Sequence, residues 1–564
     1  MIGFAALHAA CSTSRSAGSA APGTAPSEAE TSDAAITAAE LEEHLAAFAH
    51  DSMMGRAMTT AGNVRATEYI AAQVERRGLE AAGDDGTYFQ TLPLVRRRLL
   101  AEDLSLAVNG NELSMGVDYL PVQPLGRFMP FGLSRSLDGV QVIYGGPASS
   151  PATSLSEEQV AGKLVLLGVP VASNGQPNIR AWSPGAVSAF ESAAGIAITA
   201  LDVLPEGWAN FLSRPRDVMS SGEPSSGPVG VLVSNGAAEL LFGRPLDDVE
   251  PGDLGARVEG GFEFEETPAP YPARNVVAIV RGRDPELADQ YVAIGSHNDH
   301  IGMARTPVDH DSLRAYNQVV RPMGADSRDR EPSQAEAARI AAIRDSLRAL
   351  RPARLDSVYN GADDDGSGSV AMLEIAEAFA ASPQKPRRSI LFVWHTGEER
   401  GLFGSRWFTE NPTVPRESIV AQLNMDMVGR GTAGDADDGG PGYLQLIGSR
   451  RLSTELGDLV EAVNVREGFG FEFDYEYDAD GHPGNYYCRS DHYMYARYGI
   501  PIVFFSTGSH RDYHQLTDEP GYIDYDKLER VSQLVYSIAE TVANLDHRVV
   551  VDKPVPGPNE PCRQ

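Results

Sequence analysis

The sequence predicts an α/β protein: a mostly parallel mixed sheet with helices on both faces, with a second, smaller β-rich domain inserted into it. Three observations carry that expectation. After Pro268, continuous apolar runs of strand length alternate with helical segments, the pattern of strands buried on both sides. Between 101 and 264 the character changes to short β-rich runs broken by Gly, Pro and Ser. The chain has 564 residues, 42% of them hydrophobic, so it is long enough for more than one domain and apolar enough to give each a core.

The elements follow in order. Residues 1–34 read as a signal or lipoprotein-like segment and a flexible tether: Met1–Cys11 is short and apolar with small residues before Cys11, a candidate lipid acceptor, and Ser12–Glu30 is rich in Ser, Ala, Gly and Pro. Apolar residues at helical spacing (Leu41, Leu45, Phe48) mark Thr37–Phe48, and Asn63–Arg77 repeats the pattern before Gly78 stops it. Residues 35–100 and 265–548 are read as one discontinuous domain and 101–264 as the insertion, with strands at Gly139–Tyr144, Lys163–Val169 and Val229–Ser234. Strands are expected at Asn275–Val280, Tyr291–Ser296, Ser389–Trp394, Ile419–Asn424, Tyr443–Ile447 and Ile502–Phe505, and helices at Ser369–Phe379 and Tyr525–Leu545. A Pro-rich tail, 549–564, ends the chain.

Charge and composition exclude several classes. The 47 Lys+Arg against 78 Asp+Glu leave a net −31, which gives no basic face for nucleic acid. No run approaches the roughly 18–20 apolar residues of a spanning helix. Three cysteines, Cys11, Cys488 and Cys562, are too few for a disulfide scaffold; with Cys11 lipidated, Cys488 and Cys562 remain to pair and anchor Asp552–Gln564.

Chemistry in such a sheet belongs at the carboxyl ends of the strands, and imidazoles and carboxylates gather there. Tyr291–Ser296 ends in His297-Asn298-Asp299, and Asn360–Gly368 (NGADDDGSG) enters a helix. Glu398-Glu399 follow Ser389–Trp394, Asp426 follows Ile419–Asn424, and Ile502–Phe505 runs toward Tyr513-His514. Singly, each is an ordinary loop histidine, Asp-rich turn or acidic helix start. Together they make one site, because acids brought to a single sheet edge would repel one another without a cation between them. Zinc takes His nitrogen and Asp/Glu oxygen, and two zincs sharing a carboxylate can clamp the carbonyl and water of a hydrolysis.

These motifs resemble a known family. HND at 297–299, GADDDGSG at 361–368, TGEExGLxGS at 396–405, NMD at 424–426, SDH at 490–492 and DYHxxxD at 512–518 look like the co-catalytic dizinc aminopeptidases, whose relatives include glutamate carboxypeptidase. Met54-Gly55-Arg56, Gly78-Leu79 and Gly86-Thr87-Tyr88-Phe89-Gln90 resemble exported members, and the 101–264 segment resembles an inserted protease-associated domain. The resemblance implies the zinc exopeptidase fold with two Zn2+ per chain, one held by His297 and Asp426, the other by Glu399 and His514, bridged by Asp364. It implies Glu398 as general base toward a metal-bridged water, Asp299 orienting His297, and Tyr513 donating its hydroxyl to the tetrahedral oxyanion. Asp364–Asp365 is a candidate cis peptide by the same resemblance, and Asp491-His492 is assigned to loop scaffolding rather than to the metals.

One segment departs from the pattern. Residues 303–356 hold ten Arg, no Lys and eight acids, a local +2 in an acidic chain. Ser333-Gln334-Ala335-Glu336 is a capping-box pattern, and Ile340, Ile343, Leu347 and Leu350 form an apolar stripe ending near Arg351-Pro352. Flanked by site motifs, this Arg-rich insertion, 303–358, reads as a helical lid or as a solvated surface helix. The functional expectation is an exported dizinc metallo-exopeptidase acting on peptides, periplasmic, outer-membrane-anchored through Cys11, or secreted. Aminopeptidase comes first, with carboxypeptidase, glutaminyl cyclase and a non-catalytic receptor-like relative as alternatives.

Overall fold

The computed structural model describes residues 35–100, 104–124, 131–148, 155–169, 190–204, 207–220, 227–431 and 440–564. The leader and Cys11 lie outside the described residues. The first unit is built on a nine-stranded mixed sheet. Its centre holds four parallel strands, Ser389–His395, Tyr291–His297, Ile419–Met425 and Ile502–Ser506, in that spatial order. Antiparallel Arg274–Val280 and Tyr443–Ile447 flank them.

Alternate residues of these strands feed two separate cores, which is why the runs are apolar throughout. Val276, Ala278, Val292, Ile294, Ile390, Phe392 and Trp394 pack with residues of the helices Ala38–Phe48, Ala61–Arg76, Gly368–Ala381 and Tyr525–Asn544. Val277, Ile279, Ala293, Leu391 and Val393 face the other way, onto Phe408, Tyr493 and Tyr495. The expected two-faced burial is therefore present, and each expected strand end lies within a few residues of the observed one.

A second sheet of eleven strands occupies the middle of the chain. Val140–Pro147, Leu164–Gly168, Gly195–Ile198 and Val229–Val233 run parallel in it, and the fifteen-residue strand Leu254–Pro268 crosses antiparallel. This sheet also takes in Leu94–Leu99, so it is wider on both sides than the 101–264 segment. The sequence Leu94-Val95-Arg96-Arg97-Arg98-Leu99 reads as polar text, yet each arginine meets an acid on a neighbouring strand: Arg96 with Asp217 at 2.8 Å, Arg97 with Glu266, and Arg98 with Glu265 at 2.6 Å. Cross-strand charge pairs of this kind hold a strand of mostly charged residues in the sheet.

In the Arg-rich insertion, Met303–Asp309 pairs antiparallel with Leu355–Val358, and between them lie the helices His310–Val320 and Gln334–Leu350. The capping box forms as expected, with Ser333 and Glu336 exchanging hydrogen bonds. Gln334–Leu350 buries no residue: Ile340, Ile343 and Leu347 are half-buried, and Leu350 is 84% exposed.

The tail is fastened to the first unit. Cys488 and Cys562 form a disulfide with Cα atoms 5.9 Å apart, and Gln564 accepts from Tyr487 N at 2.9 Å and, through its carbonyl, from Gly481 N at 3.0 Å. Thiol titration of the denatured chain should therefore gain two groups on reduction; equal counts with and without reductant would contradict the pairing.

Candidate metal centre

The site is assembled by loops that one another's polar groups hold in place. The turn at Gly361 and the cis peptide Asp364–Asp365 carry the backbone from strand to helix. Asp518 accepts from the amides of Asp363 (3.0 Å) and Asp364 (3.1 Å). Asp365 spends both carboxylate oxygens on amides: Oδ2 on His297 N (3.0 Å), Oδ1 on Gly368 N (2.9 Å) and Met427 N (3.3 Å). That occupation separates Asp365 from its neighbour, whose oxygens remain free to face imidazoles.

The N-terminal Met54-Gly55-Arg56 supports the same loop from below. Arg56 is fully buried and donates to the carbonyls of Phe48, Asn360 and Gly361. Burial lowers its pKa to about 10 against the pull of Asp518 and Asp364. Gly55, at φ 64°, lies so close to Gly302 that an added Cβ would sit 2.1 Å from that carbonyl oxygen, which excludes any side chain there.

Above this platform the expected ligands converge. Asp364 straddles the centre: Oδ1 is 3.1 Å from His297 Nε2, and Oδ2 is 2.9 Å from His514 Nε2. On one side Asp426 Oδ1 lies 3.7 Å from His297 Nε2; on the other Glu399 Oε2 lies 3.1 Å from His514 Nε2. The five expected ligands thus form two three-donor sets that share one carboxylate. Ser490 donates to Asp426 Oδ2 at 2.7 Å, leaving Oδ1 toward the centre. His514 sits at φ 55°, a left-handed conformation costly for a non-glycine residue.

The residues fit a cation pair. His297 Nε2, Asp364 Oδ2 and Glu399 Oε1 are buried and meet imidazoles and carboxylates of this same cluster, an arrangement of like-charged acids that costs stability unless cations lie among them. Burial would lower the pKa of His514, yet its hydrogen bonds to Asp364 and Glu399 outweigh that and push it to about 11, so the pocket favours positive charge at that ring. A mixed set of imidazole nitrogen and carboxylate oxygen is the donor chemistry of zinc.

Glu398 and Tyr513 line a cleft beside Asp364, Asp426 and His514. Burial pushes the Glu398 carboxyl well above the usual range, with Asp426 and Glu399 adding to it and His297 opposing. Tyr513 is pushed up by burial and by Asp364, and its oxygen accepts from Arg489 at 3.0 Å. Asp299 lies beside His297 Nδ1, with its backbone carbonyl at 3.1 Å and its carboxylate at 3.8 Å. The carboxylate also accepts from the Glu398 amide at 3.1 Å. Asp491 and His492 stay off the centre: Asp491 lies 3.4 Å from His395, and His492 Nε2 bonds the Tyr487 carbonyl at 2.8 Å.

One participant was missed. His300 is buried with Nδ1 2.7 Å from Glu399 Oε1, so it steers the other oxygen of Glu399 toward His514. Its proximity to His297-Asn298-Asp299 was the available signal, but its ring direction depends on the turn. A third group, His310 with Asp356 and Glu519, also offers ligand atoms, but Arg354 already pairs with Glu519 and Arg351 lies 3.4 Å from His310 Nδ1. Cations from the protein occupy that cluster.

Residues 275–539, a little under half of the chain, match the model of Peptidase family M28. Among curated relatives, leupeptin-inactivating enzyme 1 of Streptomyces exfoliatus is 32% identical over 151 residues, 26% of this chain and 30% of that protein. An aminopeptidase of Pseudomonas aeruginosa strain UCBPP-PA14 is 35% identical over 145 residues, 21% of this chain and 26% of that one. The match thus spans about a third or less of either relative's length. Among solved structures, an aminopeptidase from Aneurinibacillus sp. strain AM-1 is similar with TM-score 0.46 and 15% identity, covering 93% of this chain and 97% of that one.

The shared carboxylate makes a distinct prediction. By equilibrium dialysis with metal analysis the chain should hold about two zinc ions. Asp364→Ala should lose most of both, while His514→Ala should lose about one, since only Asp364 belongs to both donor sets. Loss of a single ion in Asp364→Ala would contradict the bridge.

Proposed function

We propose that this protein is an exported zinc exopeptidase that removes the N-terminal residue from peptides, with Glu398 as general base. The observation that carries the reading is the cleft that Glu398 and Tyr513 share with Asp364, Asp426 and His514. Two zinc ions bound there would polarise the scissile carbonyl and acidify the attacking water. His297 and Asp426 would hold one, Glu399 and His514 the other, and Asp364 both.

The chain's own groups do the remaining work. Glu398, its carboxyl raised by burial, takes a proton from the attacking water and returns it to the leaving amine. Its loop is held by the Glu398 amide on Asp299. The Tyr513 oxygen already accepts from Arg489, so its own hydrogen is free to turn to the oxygen that becomes negative as the carbonyl is attacked.

The amino-terminal preference rests on charge. A free ammonium suits a cleft with several carboxylates, whereas a C-terminal carboxylate needs a free cation. The insertion was the candidate source of one, but four of its ten arginines are turned onto the protein's own acids: Arg314 on Asp512, Arg348 on Asp309, Arg351 on Asp311 and Arg354 on Glu519. The names of the curated relatives, aminopeptidases among them, agree with this preference. Export is supported by the Cys488–Cys562 disulfide, a bond that persists in oxidising compartments.

Two measurements test the reading. Free-amino peptides and C-amidated peptides should be cleaved and N-blocked ones refused; cleavage of N-blocked peptides would defeat the assignment. Glu398→Gln should lower kcat by about 100-fold or more while bound zinc stays at the wild-type level. Wild-type turnover in that variant would overturn the base.

A further inference from the structure

Arg489 lines the cleft beside Glu398 and Tyr513, and its side chain is 36% exposed. It follows Cys488 and precedes Ser490, so the disulfide and the Ser490 bond to Asp426 fix its backbone on both sides. A guanidinium at that place would select substrates with an acidic first side chain, if it were free. It is not free. Asp326 faces it in a fork, Oδ2 3.4 Å from Nη1 and Oδ1 3.5 Å from Nη2. The same carboxylate accepts from Ser509 at 2.6 Å, and Ser509 also lines the cleft.

Asp326 comes from the Arg-rich insertion. The short turn Gly324–Asp326, between the insertion's two helices, docks on the loop that carries Tyr513 and His514. Ala325 N donates to the Tyr513 carbonyl at 3.0 Å. Gly324, at φ 53°, approaches so closely that an added Cβ would lie 2.4 Å from that oxygen and 2.7 Å from the His510 carbonyl. Only glycine allows this seating. The basic insertion therefore presents an acid to the site, while four of its arginines bind acids elsewhere.

We infer that Asp326 is a specificity-determining residue: it masks Arg489, so the cleft accepts uncharged N-terminal side chains and disfavours Glu and Asp. The inference rests on the aminopeptidase reading above. Around the opening, Met427, Phe504 and Tyr486 supply apolar surface for such a side chain, with Arg489 Cζ 5.1 Å from the Tyr486 ring centre. An incoming carboxylate would have to displace Asp326 from Arg489 and leave Asp326 facing the acids of the centre, a like-charge cost that a leucyl side chain avoids.

The test compares leucyl- and glutamyl-p-nitroanilide on the zinc-loaded full chain. The wild type should favour the leucyl substrate in kcat/KM by more than about tenfold, and Asp326→Asn should narrow that ratio by about tenfold, chiefly through a lower KM for the glutamyl substrate. Adding Arg489→Gln to Asp326→Asn should remove the glutamyl gain, because the unmasked cation is then gone. A wild type that prefers the glutamyl substrate overturns the masking without any variant, as does an Asp326→Asn chain in which both substrates fall equally. Gly324→Ala, which pushes the turn off its seat, should shift the ratio in the same direction if Asp326→Asn folds poorly; an unchanged ratio there also counts against the masking. Turnover of neither anilide alongside cleavage of N-blocked peptides at their C-terminal residue would instead overturn the aminopeptidase reading, and this inference with it.

Discussion

Burial of like charge is the constraint from which this site follows. Asp364, Glu399 and Asp426 meet around two imidazoles with almost no exposure to water, and Glu398 joins them at the edge of the same group. Carboxylates so placed repel one another and lose hydration, at a cost that no network of neutral hydrogen bonds recovers. Cations between them reverse the sign. The crowding of two imidazoles onto Asp364, and the rise of His514 to about 11, are expressions of that demand.

Everything beneath the centre resists that repulsion. Asp518 and Asp365 are spent on backbone amides that hold the loop from Asp363 to Met427. Arg56 supplies a buried positive charge under the same loop and ties it to the first helical segment. Arg430 does likewise for Asp512, at 2.6 Å, beside the loop of Tyr513 and His514. These bonds anchor the loops that carry the donors, which limits movement of the carboxylates that the chemistry needs in place.

The Arg-rich insertion belongs to the same charge economy. Several of its arginines bind acids, including Asp512 next to the site loop, and beside the cleft it places the carboxylate of Asp326 against Arg489. Net charge of the segment, +2, therefore says little about what it shows a substrate. Which groups point inward depends on where a three-residue turn seats, and that depends on Gly324 having no side chain.

Much of this was legible in the sequence. Apolar runs such as Ser-Ile-Leu-Phe-Val-Trp-His at 389–395 specify strands buried on two sides whatever surrounds them, because no exposed arrangement could tolerate them. Acids and histidines at the ends of those runs, at His297, Asp364, Glu398, Glu399, Asp426 and His514, marked the centre for the same local reason. Side-chain direction was not legible. His300 on Glu399, the Asp299 carboxylate on the Glu398 amide, the Arg96–Arg98 strand and the Asp326–Arg489 pair each join residues about 99 to 169 positions apart. Composition and spacing determine which residues reach a sheet edge; only packed loops decide which way a ring or carboxylate turns, since that choice is made by partners distant in the chain.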